Sequence, residues 1–389
     1  MLRNGVCTIY VVPTAGVSVS HSADVVVVGG GGVGLGIALA AAGRGLSVLL
    51  VAEHRAGEAF PAAAGILAPP SLEMAHQSTS GAEHTFAVAA RDRYPGYLAE
   101  LAEQSGIEVS LNRLGLLHVV LDEAEAGRRS SASIPGSTWL DRQALLSLEP
   151  ALGHAAGARL FHDDGAVDNV ALLHALEVAV ARCAGVRQTH SSARAVRFRR
   201  HGVTCELGDG THADGDQLVL AAGAWSPLVE GLPRPLPVEP LRGQMISIAA
   251  SPLRHVAYGD EGYLVPRGDM TLVGATMEHA AFDVSTTAEG VAGLTAAAAA
   301  LCPALAGLPV AKAWAGLRPV SPDFLPIIGR DPDNPSLIYA CGHSRNGVLM
   351  APLTADCVAA LLVGETPPAS LAAFGISRFE LTVEAATTG

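Results

Sequence analysis

Two arginine motifs near the C-terminal end and one glycine loop near the N-terminal end hold most of the chemistry in this 389-residue chain. The arginines stand in Gly316-Leu317-Arg318-Pro319 and in Gly342-His343-Ser344-Arg345-Asn346-Gly347. A guanidinium grips a carboxylate through two parallel hydrogen bonds. The loop, Gly29-Gly30-Gly31-Gly32-Val33-Gly34, directly follows the apolar run Val25-Val26-Val27-Val28. A glycine loop in that setting suggests a dinucleotide site. Together the motifs point to redox chemistry on a small carboxylic acid.

The loop needs flanking elements to do this work. Residues 24–28 read as a short buried strand, 37–42 as a helix stopped by Gly43 and Gly45, and 47–51 as a second strand, which makes a βαβ unit. Gly29, Gly31 and Gly34 fit G-x-G-x-x-G, with Gly32 and Val33 between: a tight turn, close approach of backbone to pyrophosphate, then helix–strand packing. The helix N-terminus turns free N–H groups toward the phosphates. A carboxylate is expected at the end of the second strand to bind ribose hydroxyls. Glu53 is the candidate, one place later than the usual position, where Ala52 stands. The bland readings are a plain βα turn and an exposed loop glutamate.

Composition narrows the class. Hydrophobic residues make up 49% of the chain and the mean hydropathy is +0.34, enough for large cores. A net charge of −12 argues against general nucleic-acid or anionic-membrane binding. Six cysteines are scattered with no C-x-x-C spacing, so no zinc knuckle or dithiol is indicated, and the scatter suits a reducing cytoplasm. No run reaches the roughly 18 apolar residues of a spanning helix. Residues 1–22 have a poor apolar region and no clear cleavage site, and read as an N-terminal extension or early start codon rather than a signal peptide.

The middle of the chain shows organisation. Helices are expected over 83–104, 140–148 and 170–183, the last after the cap Asp168-Asn169. Strands are expected over 114–121, 217–222, 244–249, 262–265 and 270–274. Small residues Ala221-Ala222-Gly223-Ala224 end one of them, which lets a cofactor approach the backbone. Asp163-Asp164 and Asp168 read as a solvated turn and a helix cap. Taken alone, Arg318 beside Pro319 reads equally as a solvated loop arginine, Tyr263 as a core residue and Met277 as a gap-filler. His343 has no acidic neighbours in sequence and receives no proton-transfer or metal role; no metal site is expected.

An ordered set of motifs carries a resemblance. It comprises Val28-Gly29-Gly30-Gly31, Ala62-Ala63-Ala64-Gly65-Ile66-Leu67-Ala68-Pro69, Asp164-Gly165-Ala166-Val167-Asp168 and Ala222-Gly223-Ala224-Trp225-Ser226. It continues through Leu241-Arg242-Gly243-Gln244, Tyr263-Leu264-Val265-Pro266-Arg267 and Val273-Gly274-Ala275-Thr276-Met277-Glu278 to the two arginine motifs, the first extended as Trp314-Ala315-Gly316-Leu317-Arg318-Pro319. From about residue 24 to Phe379 the chain resembles glycine oxidases of the thiamine-pathway type, within the D-amino-acid oxidase family of FAD enzymes.

The resemblance implies an α/β fold: a Rossmann-like FAD-binding domain with a second, mostly antiparallel β-sheet substrate domain. The expected FAD-binding segments are 23–76, 150–232 and 316–375; the substrate segments are 77–149 and 233–315; 376–389 is a C-terminal tail. It implies that Arg318 pairs with the substrate carboxylate, that Tyr263 adds a hydrogen bond, that Arg345 is a second substrate-side arginine and that Met277 walls the pocket. It also implies that His343, Ser344, Arg345, Asn346, Gly347, Val348 and Leu349 lie along the flavin, with Ala64, Gly65 and Ile66, and that the Ala195 backbone meets adenine; the small-residue strand end makes Gly223 a further expected cofactor contact. The FAD is expected to be non-covalent, because 318–323 holds no cysteine. The implied reaction oxidises glycine or a similar small amino acid to an imine, then an oxo-acid and ammonia, with molecular oxygen as acceptor and hydrogen peroxide as product. A homo-oligomer, a thiazole-synthase partner and a cytoplasmic location are expected.

The chain departs from the family pattern at Ala52, at Glu58-Ala59-Phe60-Pro61 where hydroxyl side chains are common, at Ser344 where an aromatic is common, and at Glu261 where some relatives carry histidine. The alternatives are a D-amino-acid or sarcosine oxidase, a dehydrogenase using another acceptor, and an inert flavin-binding assembly partner.

Overall fold

A computed structural model of the chain describes residues 20–69 and 81–379. Most of the expected extension, part of the 23–76 segment and most of the expected tail therefore lie outside the described residues. The first sheet grows from four consecutive valines. Val25, Val26 and Val27 are fully buried, which an all-apolar strand covered on both faces requires. They belong to β1 (Ser20–Val28), which begins earlier than expected, so 20–22 are strand rather than extension.

From β1 the chain crosses through α1 (Gly32–Ala42) to β2 (Val48–Val51), parallel to β1. A short turn α2 (Ala59–Ala62) and β3 (Ile66–Leu67) follow, then the long α3 (Gly81–Ser105). Next come β4 (Leu111–Asn112), β5 (Leu116–Val120), α4 (Glu123–Ser130), β6 (Ser137–Asp141) and α5 (Arg142–Leu148). The expected 140–148 helix thus starts two residues late, because Asp141 ends a strand and caps the helix by accepting from the Ala144 N–H. β7 (Gly157–Phe161) and β8 (Gly165–Val167) lead to α6 (Asn169–Arg182), whose N-cap is Asp168 as expected.

Strands β9 (Val186–Thr189), β10 (Ala193–Phe198), β11 (Val203–Leu207) and β12 (His212–Leu220) complete much of the first sheet, in the order β10-β11-β12-β1-β2-β9. The chain then builds β13 (Glu239–Ile248), β14 (Val256–Tyr258), β15 (Tyr263–Arg267), β16 (Met270–Gly274), α7 (Ala288–Leu301) and β17 (Val310–Val320). It returns to the first sheet with β18 (Ile327–Arg330) and β19 (Leu337–Cys341), and α8 (Gly347–Leu362) packs against α1 and α3.

The second sheet runs β17-β13-β16-β15-β14-β5-β7-β6 and is antiparallel except where β14 meets β5. It differs from the expected segments twice. β7 lies in this sheet, although 150–232 was assigned to the nucleotide side; Ala158 is buried in the core beneath it while Arg159 and Phe161 face a cavity. β17 crosses the expected 315/316 boundary as one unbroken strand. At the other end, 376–379 is no tail: Ile376 is buried, and the Arg378 guanidinium pairs with Asp323 at 2.8 Å. A small third sheet, β3-β8-β4, brings Ile66 to the cavity.

Candidate functional site

One cavity of about 1420 Å³ runs from the glycine loop to Tyr263 and Arg318. At its first end the loop is built by steric necessity. Gly29 has φ +125°, and an added Cβ would stand 2.3 Å from the Ala221 carbonyl oxygen. A Cβ at Gly34 would stand 1.9 Å from the Gly29 carbonyl oxygen, so only glycine lets α1 pack this closely. At Gly31 the same position is open space, and the α1 N-terminus has no side-chain cap. The first-turn N–H groups, beside the cavity-lining Gly32 and Val33, are therefore left for an anion.

Glu53 reaches the cavity wall, its carboxylate held by the Arg55 guanidinium at 2.8 Å. Ala52 is buried and would meet a Cβ on Gly30 at 2.6 Å. Ser191, Ser192 and Ala193 form the facing wall with Trp225 and Val229. Ala195, expected there, lies off the cavity: the register of β10 shifts between Ala193 and Ala195, and the Ala195 backbone bridges to Glu230 instead. Ala193, two residues earlier, lines the cavity where Ala195 does not.

Ala64, Gly65, Ile66 and Gly223 line the middle of the cavity. Arg267 holds this wall in shape. Its Nη2 donates to the Ala64 carbonyl at 2.9 Å and to the Val167 carbonyl at 3.0 Å, and its Nη1 pairs with Asp168 at 3.0 Å. Opposite runs the turn before α8. His343, Ser344, Arg345, Asn346, Gly347 and Val348 all line the cavity; Leu349 does not, being buried in the helix packing. Burial pushes the His343 pKa down to about 4, so the ring is neutral, with Nε2 at 3.1 Å from the Thr354 hydroxyl. Ser344 has φ +50° and is buried.

Two carboxylates here escaped the sequence reading. Glu83, at the start of α3, is buried and accepts from the Asn346 amide at 2.8 Å; burial raises its pKa against the pull of Arg345. Asp164 is not in a solvated turn. It is buried beside the Arg91 guanidinium at 2.8 Å, and desolvation pushes its pKa up to about 6. Both line the cavity.

At the far end the second sheet presents the expected arginine and tyrosine. Arg318, half-buried on β17, donates from Nη1 to the Thr276 carbonyl at 3.0 Å. Among the described residues no carboxylate pairs with it. Its guanidinium lies flat over Gly243 of β13, where an added Cβ would stand 2.2 Å from Nη1. Tyr263 lies across Gly274 in the same way, with 2.4 Å from such a Cβ to its hydroxyl. That hydroxyl is 3.8 Å from the Met245 sulfur and hydrogen-bonds with Arg318; burial raises its pKa while the guanidinium opposes the rise. Arg345 is exposed, and Met277 stands at the rim with 57% of its surface open.

The structure thus brings Arg318, Tyr263, Arg345 and Met277 to one cavity with the glycine loop. Isolated glycines inside strands signal close approach of another group, and could have pointed to Gly243 and Gly274. Among the described residues no group of three His, Cys, Asp or Glu is arranged to hold a metal, and no helix is long and apolar enough to cross a membrane. The open glycine cradle, the uncapped helix and the continuous cavity fit an extended dinucleotide.

Comparison with known proteins agrees with this geometry. Residues 24–361 match the DAO family, described as FAD dependent oxidoreductase. A bifunctional protein ThiO/ThiG of Synechocystis sp. is 36% identical over 348 residues, covering 87% of this chain and 51% of that protein. A glycine oxidase of Pseudomonas putida is 35% identical over 285 residues, covering 71% of this chain and 78% of that enzyme. The crystal structure of glycine oxidase from Geobacillus kaustophilus superposes with a TM-score of 0.83 at 30% identity, over 92% of this chain and 99% of that one. The chain spans about half the length of the bifunctional relatives it matches.

Proposed function

The chain belongs to the DAO family of FAD-dependent oxidoreductases, and we propose that it oxidises glycine or another amino acid, held by its carboxylate, to the corresponding imine. One observation carries the reading. A half-buried guanidinium, Arg318, faces the cavity beside the Tyr263 hydroxyl and has no carboxylate partner among the described residues. A substrate carboxylate completes it through two charge-assisted hydrogen bonds.

Arg318 and Tyr263 hold the carboxylate at the sheet end of the cavity, so the substrate Cα and amine extend toward the Ala64–Ile66 wall and the 343–348 turn. That fixed approach replaces random encounter. The neutral His343 and the apolar wall of Met245 and Ala275 keep the reacting region poor in water. FAD held in the Gly29–Gly34 cradle would supply the two-electron acceptor for this oxidation, with molecular oxygen as the final acceptor and hydrogen peroxide as its product. The amino acid loses two electrons and two protons; water then converts the imine to an oxo-acid and ammonia. The kinship with proteins named ThiO/ThiG supports a role for the imine in thiazole synthesis.

The test is anaerobic mixing of the flavin-loaded protein with glycine, sarcosine and D-alanine, followed by the flavin absorbance. Bleaching by at least one is expected, with peroxide formed when air is admitted. No bleaching by any amine refutes the reading. Bleaching without peroxide replaces the oxidase with a dehydrogenase.

A further inference from the structure

The cavity does not end at the carboxylate clamp. It continues past Tyr263 over one face of the second sheet, where register partners form a single row. Trp139 of β6 stands opposite Arg159 of β7, Arg159 opposite His118 of β5, His118 opposite Tyr258 of β14, and Tyr258 opposite Tyr263 of β15. All five line the same cavity. Residues on one face of a sheet recur every second position, so Leu116 and Val120 flank His118 on that face, and Phe161 flanks Arg159.

From Tyr263 to His118 the row is aromatic and continuous, and Arg159 separates that run from Trp139. The Tyr258 and Tyr263 rings lie 5.2 Å apart, and His118 stacks on Tyr258 at 5.4 Å with the planes 8° apart. Phe161 meets His118 edge-on at 5.8 Å. Adjacent strands are about 4.8 Å apart, so His118 lies roughly 10 Å beyond Tyr263, and Trp139 roughly 19 Å. Glycine has only Cα and an amine beyond its carboxylate and reaches none of this.

The cations of the region are already satisfied. Arg159 donates from Nη2 to the Arg129 and Ala132 carbonyls at 2.6 and 2.8 Å and lies over the Trp139 ring; Arg129 pairs with Glu125 at 2.5 Å. The extension therefore does not call for a second acidic group. Its floor offers ring faces and edges, with Ile134 and Ala132 adding apolar wall.

We propose that this extension is a side-chain subsite for an aromatic ring, so that the favoured substrate is an amino acid carrying a ring on Cα or on nitrogen. The proposal rests on the amino-acid-oxidising reading above for its anchor, the carboxylate on Arg318 and Tyr263. The favoured substrate fills both ends: carboxylate on the clamp, ring over Tyr258 and His118.

Two measurements on the flavin-loaded protein separate this proposal from its anchor. Calorimetry with 3-phenylpropanoate and propanoate compares acids that differ by the ring. The ring-bearing acid should bind at least about tenfold tighter. His118→Ala and, independently, Phe161→Leu should each shrink that ratio by about threefold or more. Equal affinities, or a ratio that neither substitution moves, overturns the subsite. Anaerobic flavin reduction by glycine, D-phenylalanine and N-benzylglycine then identifies the source of the ring. One of the aromatic amines should exceed glycine in kcat/KM; glycine exceeding both by tenfold overturns the proposal. If no amine reduces the flavin while the acids still differ through His118, the subsite stands and the oxidase reading falls.

Discussion

Gly243→Ala should damage catalysis while sparing the fold. The methyl would stand 2.2 Å from the Arg318 Nη1 and 2.4 Å from its Cζ, where ordinary contact begins near 3.4 Å. The guanidinium must therefore move by about 1.2 Å. Only the far end of a flexible side chain is displaced, so the backbone pairing of Gly243 with Gly316 can stay intact. What is lost is aim. The 3.0 Å bond from Nη1 to the Thr276 carbonyl stretches beyond hydrogen-bond range, and the fork no longer meets a carboxylate squarely. A hydrogen bond to a charged group is worth about 1.5–3 kcal/mol. That converts to a fall of about 10- to 100-fold in kcat/KM. The assay is stopped-flow flavin reduction across amino-acid concentrations, with flavin content and Tm measured on the same preparation. Normal flavin loading, a Tm within a few degrees and the expected kinetic loss would support the placement of Arg318. Unchanged kcat/KM at full loading would show that the guanidinium does not need its seat on Gly243, and the carboxylate anchor would have to be sought at Arg345.

Three further outcomes are expected. Arg318→Leu, which removes the charge outright, should lower kcat/KM by at least about thirtyfold with FAD content preserved, since truncating one partner of a charged pair costs about 2–5 kcal/mol; normal kinetics would exclude Arg318 from substrate binding. Acid precipitation should leave the yellow colour in the supernatant, because Cys341 is buried and burial pushes its thiol pKa up to about 12; a coloured pellet would show a covalent link. His343 has its folded pKa pushed below the unfolded value of about 6.5, so its stabilising contribution is present above that pH and is lost as pH falls toward about 4. At pH 5 the loss is about 2 kcal/mol, and chemical denaturation of His343→Gln should lack that share of the acid sensitivity; an identical pH dependence would show that the ring is not kept neutral.

The nucleotide end was legible because its information is local. Val25 to Val51 carry strand, loop, helix and strand in unbroken order, and the glycine spacing follows from sterics within that unit. The meeting of Arg318 and Tyr263 at one cavity was legible only through motif order, because nothing in their own neighbourhoods pairs the strands that bring them together. Asp164 was misread for the same reason. Beside Asp163 it looks like a solvated turn, and only Arg91 on α3, 73 positions away, makes it a buried ion pair. Ala195 stands off the cavity through a register shift in β10, which changes the facing residue without altering composition. β7 was missed because Gly157 to Phe161 is short and carries Arg159, whose burial depends on acceptors at Arg129 and Ala132 that only the folded chain supplies.

Strand β17 sets a limit on how this chain can vary in length. Along it, the Trp314 indole donates to the Ala62 carbonyl, the Leu317 N–H donates to the Gly57 carbonyl, Arg318 faces the cavity and Val320 bridges to His343. These four attachments are spaced along one strand that is paired with β13 from Val310 to Val320. Because side chains alternate between faces, inserting or deleting a single residue between 314 and 318 would put Trp314 and Arg318 on opposite faces, so the Ala62 tie and the cavity-facing guanidinium could not both be kept. Length changes should therefore be tolerated in the loops around β17 and rejected within it.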